Sequence, residues 1–290
     1  MHELFSYEDI RKTYEEVVWH RRCRHIIQGY ALNTRDIRDA ALEGLDLAQA
    51  VDVLDLGCGY GFFTERLSGR LNKAARIIGI DVIEKNNRES FLNAVSGMGY
   101  TGTFIQGSAD LIRDMAESSF DLVVTSYSLY FFPHLIPEIA RVLRPGGLFI
   151  AVTHSKYALH EVTKFVAEGM RKSGINPPGD MKIHELFDAF SLEDGRALIE
   201  GSFGEVERIV YKNSLLFPVD RFSDFMEYIT IKKPLFFKEV LEGHPSKIED
   251  VMASFRQISQ EHAILHGNVI VNKDDGIFRC RLPVHGRVQR

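Results

Sequence analysis

Between about residue 50 and residue 155, short β-branched and apolar runs alternate with amphipathic helical stretches. This alternation is typical of a parallel sheet whose strands are joined by crossover helices. Because such crossovers are right-handed, the sequence predicts a doubly wound α/β sheet with a crevice at the carboxyl ends of its strands. The predicted strands are Val51 to Leu56, Arg76 to Ile80, Gly102 to Gln106, Phe120 to Thr125 and Leu148 to Val152. The predicted helices lie near Phe62 to Arg70, Glu84 to Ser96, Leu111 to Ala116 and Ile136 to Leu143.

Both flanks of this region are predicted to be mainly helical. Residues 1–48 contain no strand candidate, and we expect them to form a helical cap in front of one sheet-centred domain over 49–290. Helical insertions in that domain are predicted at about 158–188 and 219–266. Two further strands are expected, from Gly204 to Leu216 and from Gly276 to Leu282.

The second insertion carries two amphipathic helix patterns. Apolar residues recur at i, i+3, i+4 and i+7 in both. They are Phe222, Phe225, Met226 and Ile229 in the first, and Ile248, Val251, Met252 and Phe255 in the second. Ser246 with Glu249 predicts a capping box for the second helix, and Gly267 marks its end. We expect this pair to pack on the sheet rim as a lid over the crevice; the alternative is a plain surface layer of helices.

The overall composition excludes several classes of protein. Lys and Arg number 35 against 40 Asp and Glu, so the net charge is -5, which disfavours nucleic acid as the main partner. Cys23, Cys58 and Cys280 form no CxxC pair, so the chain has neither a disulfide framework nor a thiolate metal site in its pattern. The acidic N-terminal segment is unlike a signal peptide, and the longest apolar stretch, Phe120 to Phe132, is too short for a membrane span. We therefore expect a cytoplasmic protein.

The strongest local signal is a glycine loop at the end of the first predicted strand. Glycines at 57, 59 and 61 allow a sharp turn and a close approach of the backbone to a ligand. A dinucleotide-binding fingerprint would require a small residue at position 62, where Phe62 stands. The loop is therefore more typical of another adenosine ligand than of NAD.

A single carboxylate ends the second predicted strand. Asp81 follows the apolar run Ile77 to Ile80, in the position from which an acid can accept hydrogen bonds from both ribose hydroxyls. An acid after a strand is more often a turn residue. Its combination with the glycine loop favours the ribose role.

These motifs together resemble the class I S-adenosylmethionine-dependent methyltransferases. The resemblance lies in LDLGCGYG (54–61), GID (79–81), FDLVVTSYSLYFF (120–132) and RVLRPGG (141–147), and it covers about residues 50–155. It implies a Rossmann-like sheet of seven strands whose last strand, Gly276 to Leu282, is antiparallel. It also implies S-adenosylmethionine as cofactor and S-adenosylhomocysteine as product. The helical insertion before the last strand is similar to that of small-molecule methyltransferases.

The resemblance also assigns cofactor contacts to particular residues. Glycines 57, 59 and 61 with Cys58 would line the methionine part, and Asp55 would order their loop or reach the cofactor's amino group through water. Asp81, with Val82 after it, would hold the ribose. The adenine contact is shared among Ser108, Ala109 and Asp110, because the usual acid directly after a glycine is absent. Ser126 and Tyr127 would lie beside the sulfonium and the methyl group.

A general base is required only when the methyl acceptor carries a proton to be lost. His134 and His154, which follow predicted strand ends, are the candidate bases, and Tyr127 and Tyr130 are candidate positioning groups. Each of them is equally compatible with a structural role at the rim. His262 and His266 have a helical metal-ligand spacing without a third ligand, so we expect no metal site.

The sequence predicts methyl transfer to a small-molecule acceptor by in-line displacement. Two alternatives stay open: an RNA or protein methyltransferase, and a non-catalytic cofactor-binding subunit. A monomer or a homodimer is expected, without a membrane or nucleic-acid partner. The acceptor itself is not specified by any motif.

Overall fold

The computed structural model describes residues 4–283. Its strands are β1 (Asp52–Leu56), β2 (Arg76–Asp81), β3 (Thr101–Gln106), β4 (Phe120–Ser126), β5 (Leu143–His154), β6 (Phe203–Tyr211), β7 (Ser214–Pro218), β8 (Asn268–Asn272) and β9 (Asp275–Pro283). Its α-helices are α1 (Tyr7–Tyr14), α2 (Val17–Tyr30), α3 (Ile37–Leu42), α4 (Asn87–Gly97), α5 (Ile136–Val142), α6 (His160–Lys172), α7 (Lys182–Asp188), α8 (Gly195–Ile199), α9 (Phe222–Ile231), α10 (Lys233–Phe236), α11 (Lys238–Gly243) and α12 (Ile248–His266). Within residues 4–283, no helix combines the length and the apolar character that a bilayer crossing requires.

Seven strands form one sheet in the order β3-β2-β1-β4-β5-β9-β6. Strands β1 to β5 pair in parallel, whereas β9 lies antiparallel between β5 and β6. The chain turns from β1 towards β2 and β3 on one side and later returns to β4 on the other. Ligand crevices in such sheets open where the strand order reverses, at the carboxyl ends of the strands. The predicted doubly wound fold with an antiparallel last strand is confirmed.

This sheet belongs to a compact unit, the sheet unit. It consists of Arg35–Ser155, Asp188–Tyr211 and the described residues of Asp275–Arg290. Val53, Ile77 and Leu122 are fully buried in its core, with Phe91 of α4 packed against them. Burying each such side chain stabilises the fold by about 1.5–3 kcal/mol. Strands covered on both faces explain the near-continuous apolar runs in the sequence.

The remaining described residues form a second compact unit, the helical unit. It consists of the described residues of Met1–Thr34 with Lys156–Phe187 and Lys212–Asp274. Its core includes Phe225 of α9 stacked on Phe255 of α12, with ring centroids 6.1 Å apart. Strands β7 and β8 pair as a separate antiparallel ribbon. The two predicted amphipathic helices are present in this unit, while their role as a lid stays a prediction.

Two predictions for the second half of the chain, one strand and one helix cap, are wrong. The run from Gly204 to Leu216 is not one strand, because β6 pairs with β9 and β7 pairs with β8 in the other sheet. The capping box is also absent: Pro245–Lys247 form a 3-10 turn, so α12 begins without a side-chain cap. Gly267 ends α12 as predicted, with φ +77° in the left-handed region that glycine favours.

Two predicted helices in the sheet unit are only short 3-10 turns. They are Thr64–Leu67 in place of Phe62 to Arg70, and Ala109–Asp114 in place of Leu111 to Ala116. The Arg38 guanidinium donates to the carbonyl of Phe62. The Arg141 guanidinium donates to the carbonyls of Ile112 and Met115, at 3.0 and 2.8 Å. These side chains take acceptors that an α-helix would use for its own backbone hydrogen bonds, a tertiary effect that local sequence does not encode.

Candidate active site

The glycine loop follows β1 directly and returns the chain against β2. The backbone N–H groups of Gly57 and Cys58 both donate to the carbonyl of Ile80, at 2.8 and 3.2 Å. All three loop glycines have positive φ, +73° at Gly57, +51° at Gly59 and +78° at Gly61. A side chain is strained in this conformation, which explains why glycine recurs at alternate positions.

The loop glycines differ in what surrounds them. A Cβ on Gly57 would lie 2.4 Å from the Cβ of Ser128, the residue that follows the end of β4 by two positions. A Cβ on Gly59 would meet no heavy atom within 4 Å. The backbone at Gly59 therefore borders open space, whereas Gly57 is a packing contact.

Asp81 connects the tip of β2 to the glycine loop. Its Oδ2 accepts from the backbone N–H of Gly59 at 2.8 Å. Its Oδ1 accepts from the backbone N–H of Ile83 at 2.9 Å and from the Asn87 amide at 3.3 Å. Burial raises the pKa of Asp81, and these three hydrogen bonds oppose that rise. Val82, the next residue, is half-buried.

Asp55 lies under the loop as a fully enclosed carboxyl. It is 2% exposed, and its Oδ2 accepts from the hydroxyl of Thr64 at 2.5 Å. Burial raises the pKa of Asp55 to about 7, with a smaller contribution from the charge of Asp81. Thr64 begins the short turn after the glycines, so this contact ties that turn to β1.

Cys58 lies inside the loop without reactive character. Its side chain is buried, and burial, with the nearby charges of Asp55 and Asp81, raises the pKa of the thiol well above its ordinary value. A thiol kept protonated is a poor nucleophile. We assign Cys58 a packing role.

The predicted adenine residues form a local capping group after β3. Ser108 accepts from the backbone N–H of Asp110 at 3.2 Å and donates to its carboxylate at 2.9 Å. Asp110 also contacts the imidazole of His134 at 3.3 Å. Both of these side chains are about half exposed, whereas Ala109 is buried. The structure thus places His134 beside the predicted adenine residues.

The end of β4 carries an unusual backbone conformation. Ser126 ends the strand, and Tyr127 has φ +55°, a rare value for a residue with a bulky side chain. The backbone N–H of Tyr127 still donates to the carbonyl of Val152 at 2.8 Å. The next residue, Ser128, donates from its hydroxyl to the carbonyl of Leu56 at 2.7 Å, so β4 and the glycine loop are joined here.

The second candidate base, His154, lies at the end of β5 in a cluster that sequence did not predict. Its Nδ1 is 2.7 Å from Oδ1 of Asp275, and the Tyr127 hydroxyl donates to Oδ2 of the same carboxylate at 2.7 Å. The ring of Tyr130 lies nearly parallel to that of His154, with centroids 6.0 Å apart. Asp275 was missed because only the register of β5 with β9 brings it opposite His154. The two candidate histidines are therefore in different surroundings.

No metal site accompanies this arrangement in the part of the chain that the structure describes. Residues 4–283 contain no group of three or more metal-ligating side chains. The rings of His262 and His266 lie with their centroids 4.3 Å apart and their planes tilted by 43°.

The cofactor implied by the sequence motifs fits this edge of the sheet. The open space beside Gly59 leaves room for a ligand to approach the loop backbone. The Asp81 carboxylate, which is hydrogen-bonded to the backbone N–H of Gly59, provides acceptors for hydroxyl groups. Gly57, Gly59 and Gly61 would hold the amino-acid end of S-adenosylmethionine, and Asp81 its ribose.

Comparison with known proteins places this region in a described family. Residues 54–151 match the family described as "Methyltransferase domain". Nocamycin O-methyltransferase of Saccharothrix syringae is 32% identical over 117 residues, which cover 39% of this chain and 41% of that protein. The human mitochondrial arginine-hydroxylase NDUFAF5 is 29% identical over 132 residues, which cover 43% of this chain and 35% of that protein. The chain thus spans less than half the length of either relative.

Solved structures agree at the level of fold. A methyltransferase candidate from Bacillus halodurans C-125 aligns over 85% of this chain and 99% of its own, with a TM-score of 0.50 and 15% identity. At that identity the likeness shows the fold alone. The domain match and the sheet topology together identify residues 54–151 as a methyltransferase domain of the class I S-adenosylmethionine-dependent type.

Proposed function

We propose that this protein transfers a methyl group from S-adenosylmethionine to a small-molecule acceptor. The observation that carries the proposal is the 2.8 Å hydrogen bond from Gly59 to Asp81, which joins the glycine loop and the acid of β2 into one cradle. The cofactor supplies an electrophilic methyl group on a sulfonium. The chain's own task is to hold the acceptor in line with that group in a site that excludes water.

We assign different roles to different residues of the sheet unit. Asp81 binds and orients the ribose, and Gly59 allows the close backbone approach. Asp55 and Thr64 keep the loop in place through their buried hydrogen bond. Tyr127, the residue after β4, would contact the acceptor.

Two features support a small molecule over a macromolecular acceptor. The net charge of -5 does not favour nucleic acid. The Saccharothrix relative is named as a nocamycin O-methyltransferase, and we extend a small-molecule oxygen acceptor to this chain. A cytoplasmic location and a monomeric or homodimeric state belong to the same proposal.

A second candidate reaction comes from the human relative, which is named for arginine hydroxylation rather than methylation. A region similar to part of this chain therefore occurs in a protein named for another chemistry. This alternative and a non-catalytic cofactor-binding role share the cofactor site with our proposal, and they differ in whether the methyl group leaves the cofactor.

The Asp81→Asn variant is expected to bind S-adenosylhomocysteine about 100-fold more weakly. Hydrogen bonds to a charged acceptor contribute about 1.5–3 kcal/mol each, and the amide keeps only one acceptor oxygen. Isothermal titration calorimetry measures the dissociation constant. The control is Asp52→Asn at the opposite end of β1, where the carboxylate pairs with Arg76 and Arg144. Equal affinities of Asp81→Asn and Asp52→Asn would argue against the ribose role.

Methyl transfer is tested with methyl-labelled S-adenosylmethionine and a fractionated cell extract. We expect label in a low-molecular-weight product with the wild-type chain and little with Asp81→Asn, as followed by mass analysis. Label found only in RNA or protein would favour the macromolecular alternative. Cofactor binding without any transfer of label would favour the non-catalytic role or a different chemistry.

A further inference from the structure

A buried carboxylate links two candidate catalytic side chains at one edge of the sheet. Asp275 is 3% exposed, and each of its oxygens contacts a different partner at 2.7 Å, His154 through Oδ1 and Tyr127 through Oδ2. The rings of these two partners also pack together, with centroids 4.6 Å apart. The three side chains therefore form one connected group, the Tyr127–Asp275–His154 cluster.

Strand register explains why these residues meet. Asp275 is the first residue of β9, and it pairs directly with His154, the last residue of β5. Residues directly opposite each other on antiparallel strands present their side chains on the same face. The positive φ of Tyr127 turns the chain after β4, and the Tyr127 hydroxyl reaches the same carboxylate. Three separate segments of the chain thus build the cluster, and no local sequence pattern requires it.

We propose that Asp275 is a positioning residue that holds His154 as the proton acceptor of the methyl-transfer reaction. This inference rests on the proposed function and narrows the acceptor to one that loses a proton. A carboxylate bound at Nδ1 fixes the imidazole orientation, keeps the Nδ1–H tautomer and stabilises the imidazolium. Nε2 is then the basic nitrogen of the neutral ring. A methyl acceptor served by such a base carries a proton that it must lose, as a hydroxyl group does.

The proton and electron balance of the step is simple. The acceptor O–H bond breaks, and its proton moves to Nε2 of His154 while Nδ1–H remains bonded to Asp275. The oxygen electron pair forms the bond to the methyl carbon as the carbon–sulfur bond breaks, with its electron pair passing to sulfur. The neutral thioether leaves, and the imidazolium afterwards returns its proton to water. No oxidant, reductant or metal enters this balance.

The groups around the cluster determine how it titrates. Tyr127 and Tyr130 face His154 from the segment that follows β4, and Asp275 faces it from β9. Tyr211 of β6 is the register partner of Asp275 on its other side. Burial, and then the charge of Asp275, raise the pKa of Tyr127 well above its ordinary value. Tyr127 therefore serves as a hydrogen-bond donor to the carboxylate and not as the base.

Nuclear magnetic resonance of the full chain with ¹⁵N-labelled histidine tests this proposal without a known acceptor. We expect the neutral His154 ring to carry its proton on Nδ1. Asp275→Asn is expected to lower the His154 pKa by at least about one unit, a tenfold loss of proton affinity, because the anionic partner is removed. Tyr127→Phe is expected to raise that pKa, because the carboxylate loses the hydrogen bond from the Tyr127 hydroxyl. His154→Gln assigns the resonance.

Opposite shifts of the His154 pKa in Asp275→Asn and Tyr127→Phe would indicate that Asp275 positions the ring. A merely structural role would shift that pKa in the same direction in both variants. A proton on Nε2, an unchanged pKa in Asp275→Asn, or shifts of equal sign would overturn the proposal. If Asp275→Asn does not fold, Tyr127→Phe decides by itself: a raised pKa supports positioning, and no rise contradicts it. The same samples are titrated with S-adenosylhomocysteine, so a failure of cofactor binding is recorded separately from the histidine result.

Discussion

An alanine at position 57 is expected to lower the free energy of unfolding by about 3–4 kcal/mol. The backbone φ of +73° by itself costs a Cβ about 1–2 kcal/mol. The added Cβ would also stand 2.4 Å from the Cβ of Ser128, and such overpacking costs about 1–3 kcal/mol. Urea unfolding followed by circular dichroism measures the change.

Two related variants show which part of the effect comes from Ser128. Gly59→Ala shares the positive φ but would meet no atom within 4 Å, so we expect a loss of only about 1 kcal/mol. Gly57→Ala combined with Ser128→Gly is expected to be less destabilised than the sum of the two single variants, because the clash is gone. Additive effects in this double-mutant cycle would refute the contact. We expect Gly59→Ala to weaken S-adenosylhomocysteine binding more than its small stability loss implies, since that glycine borders the open space.

The stability of the Asp55→Asn variant relative to wild type is expected to increase as the pH rises. The folded-state pKa of Asp55 is raised to about 7, so the folded chain holds a proton that the unfolded chain has already lost. The favourable contribution of this neutral carboxyl is complete below the unfolded pKa of about 4 and is lost as the pH rises to about 7. Between pH 4.5 and 7.5 the stability of Asp55→Asn relative to wild type should therefore increase by about 3 kcal/mol.

Asp36→Asn is the matched control for this pH dependence. Burial alone would raise the pKa of Asp36, but hydrogen bonds from Arg38 and the charges of Arg38 and Arg66 hold it well below its ordinary value. That carboxylate is ionised in both folded and unfolded chains above about pH 4.5, so its substitution should change stability by the same amount at both pH values. A flat profile for Asp55→Asn as well would show that Asp55 is ionised in the folded protein.

The strands and the glycine loop could be predicted from the sequence because each depends on a local pattern of residues. The central strands β1 and β4 are buried along almost their whole length and therefore appear as short apolar runs. The predicted bounds of β1 to β4 are correct within one residue at each end. The glycine spacing of the loop reflects three positive φ values, which only the backbone freedom of glycine accommodates without strain. Asp81 was singled out because it follows the apolar run of β2, and the structure brings its carboxylate 2.8 Å from the backbone nitrogen of Gly59. Its role in binding the ribose stays a prediction.

The sequence did not predict features that depend on contacts between residues far apart in the chain. The expected helix after the glycine loop is replaced by a 3-10 turn because Arg38, from another segment, binds the carbonyl of Phe62. Asp275 could not be predicted as a partner of His154, because their contact depends on the antiparallel register of β9 with β5. The close packing of Gly57 against Ser128 likewise joins residues far apart in the chain.

The cofactor site is the central claim, and titration of the full chain with S-adenosylhomocysteine tests it most directly. Calorimetry is run on the wild-type chain with S-adenosylhomocysteine and, separately, with NAD. We predict saturable binding of one S-adenosylhomocysteine per chain and no heat of binding with NAD. Binding of NAD without binding of S-adenosylhomocysteine would contradict the account.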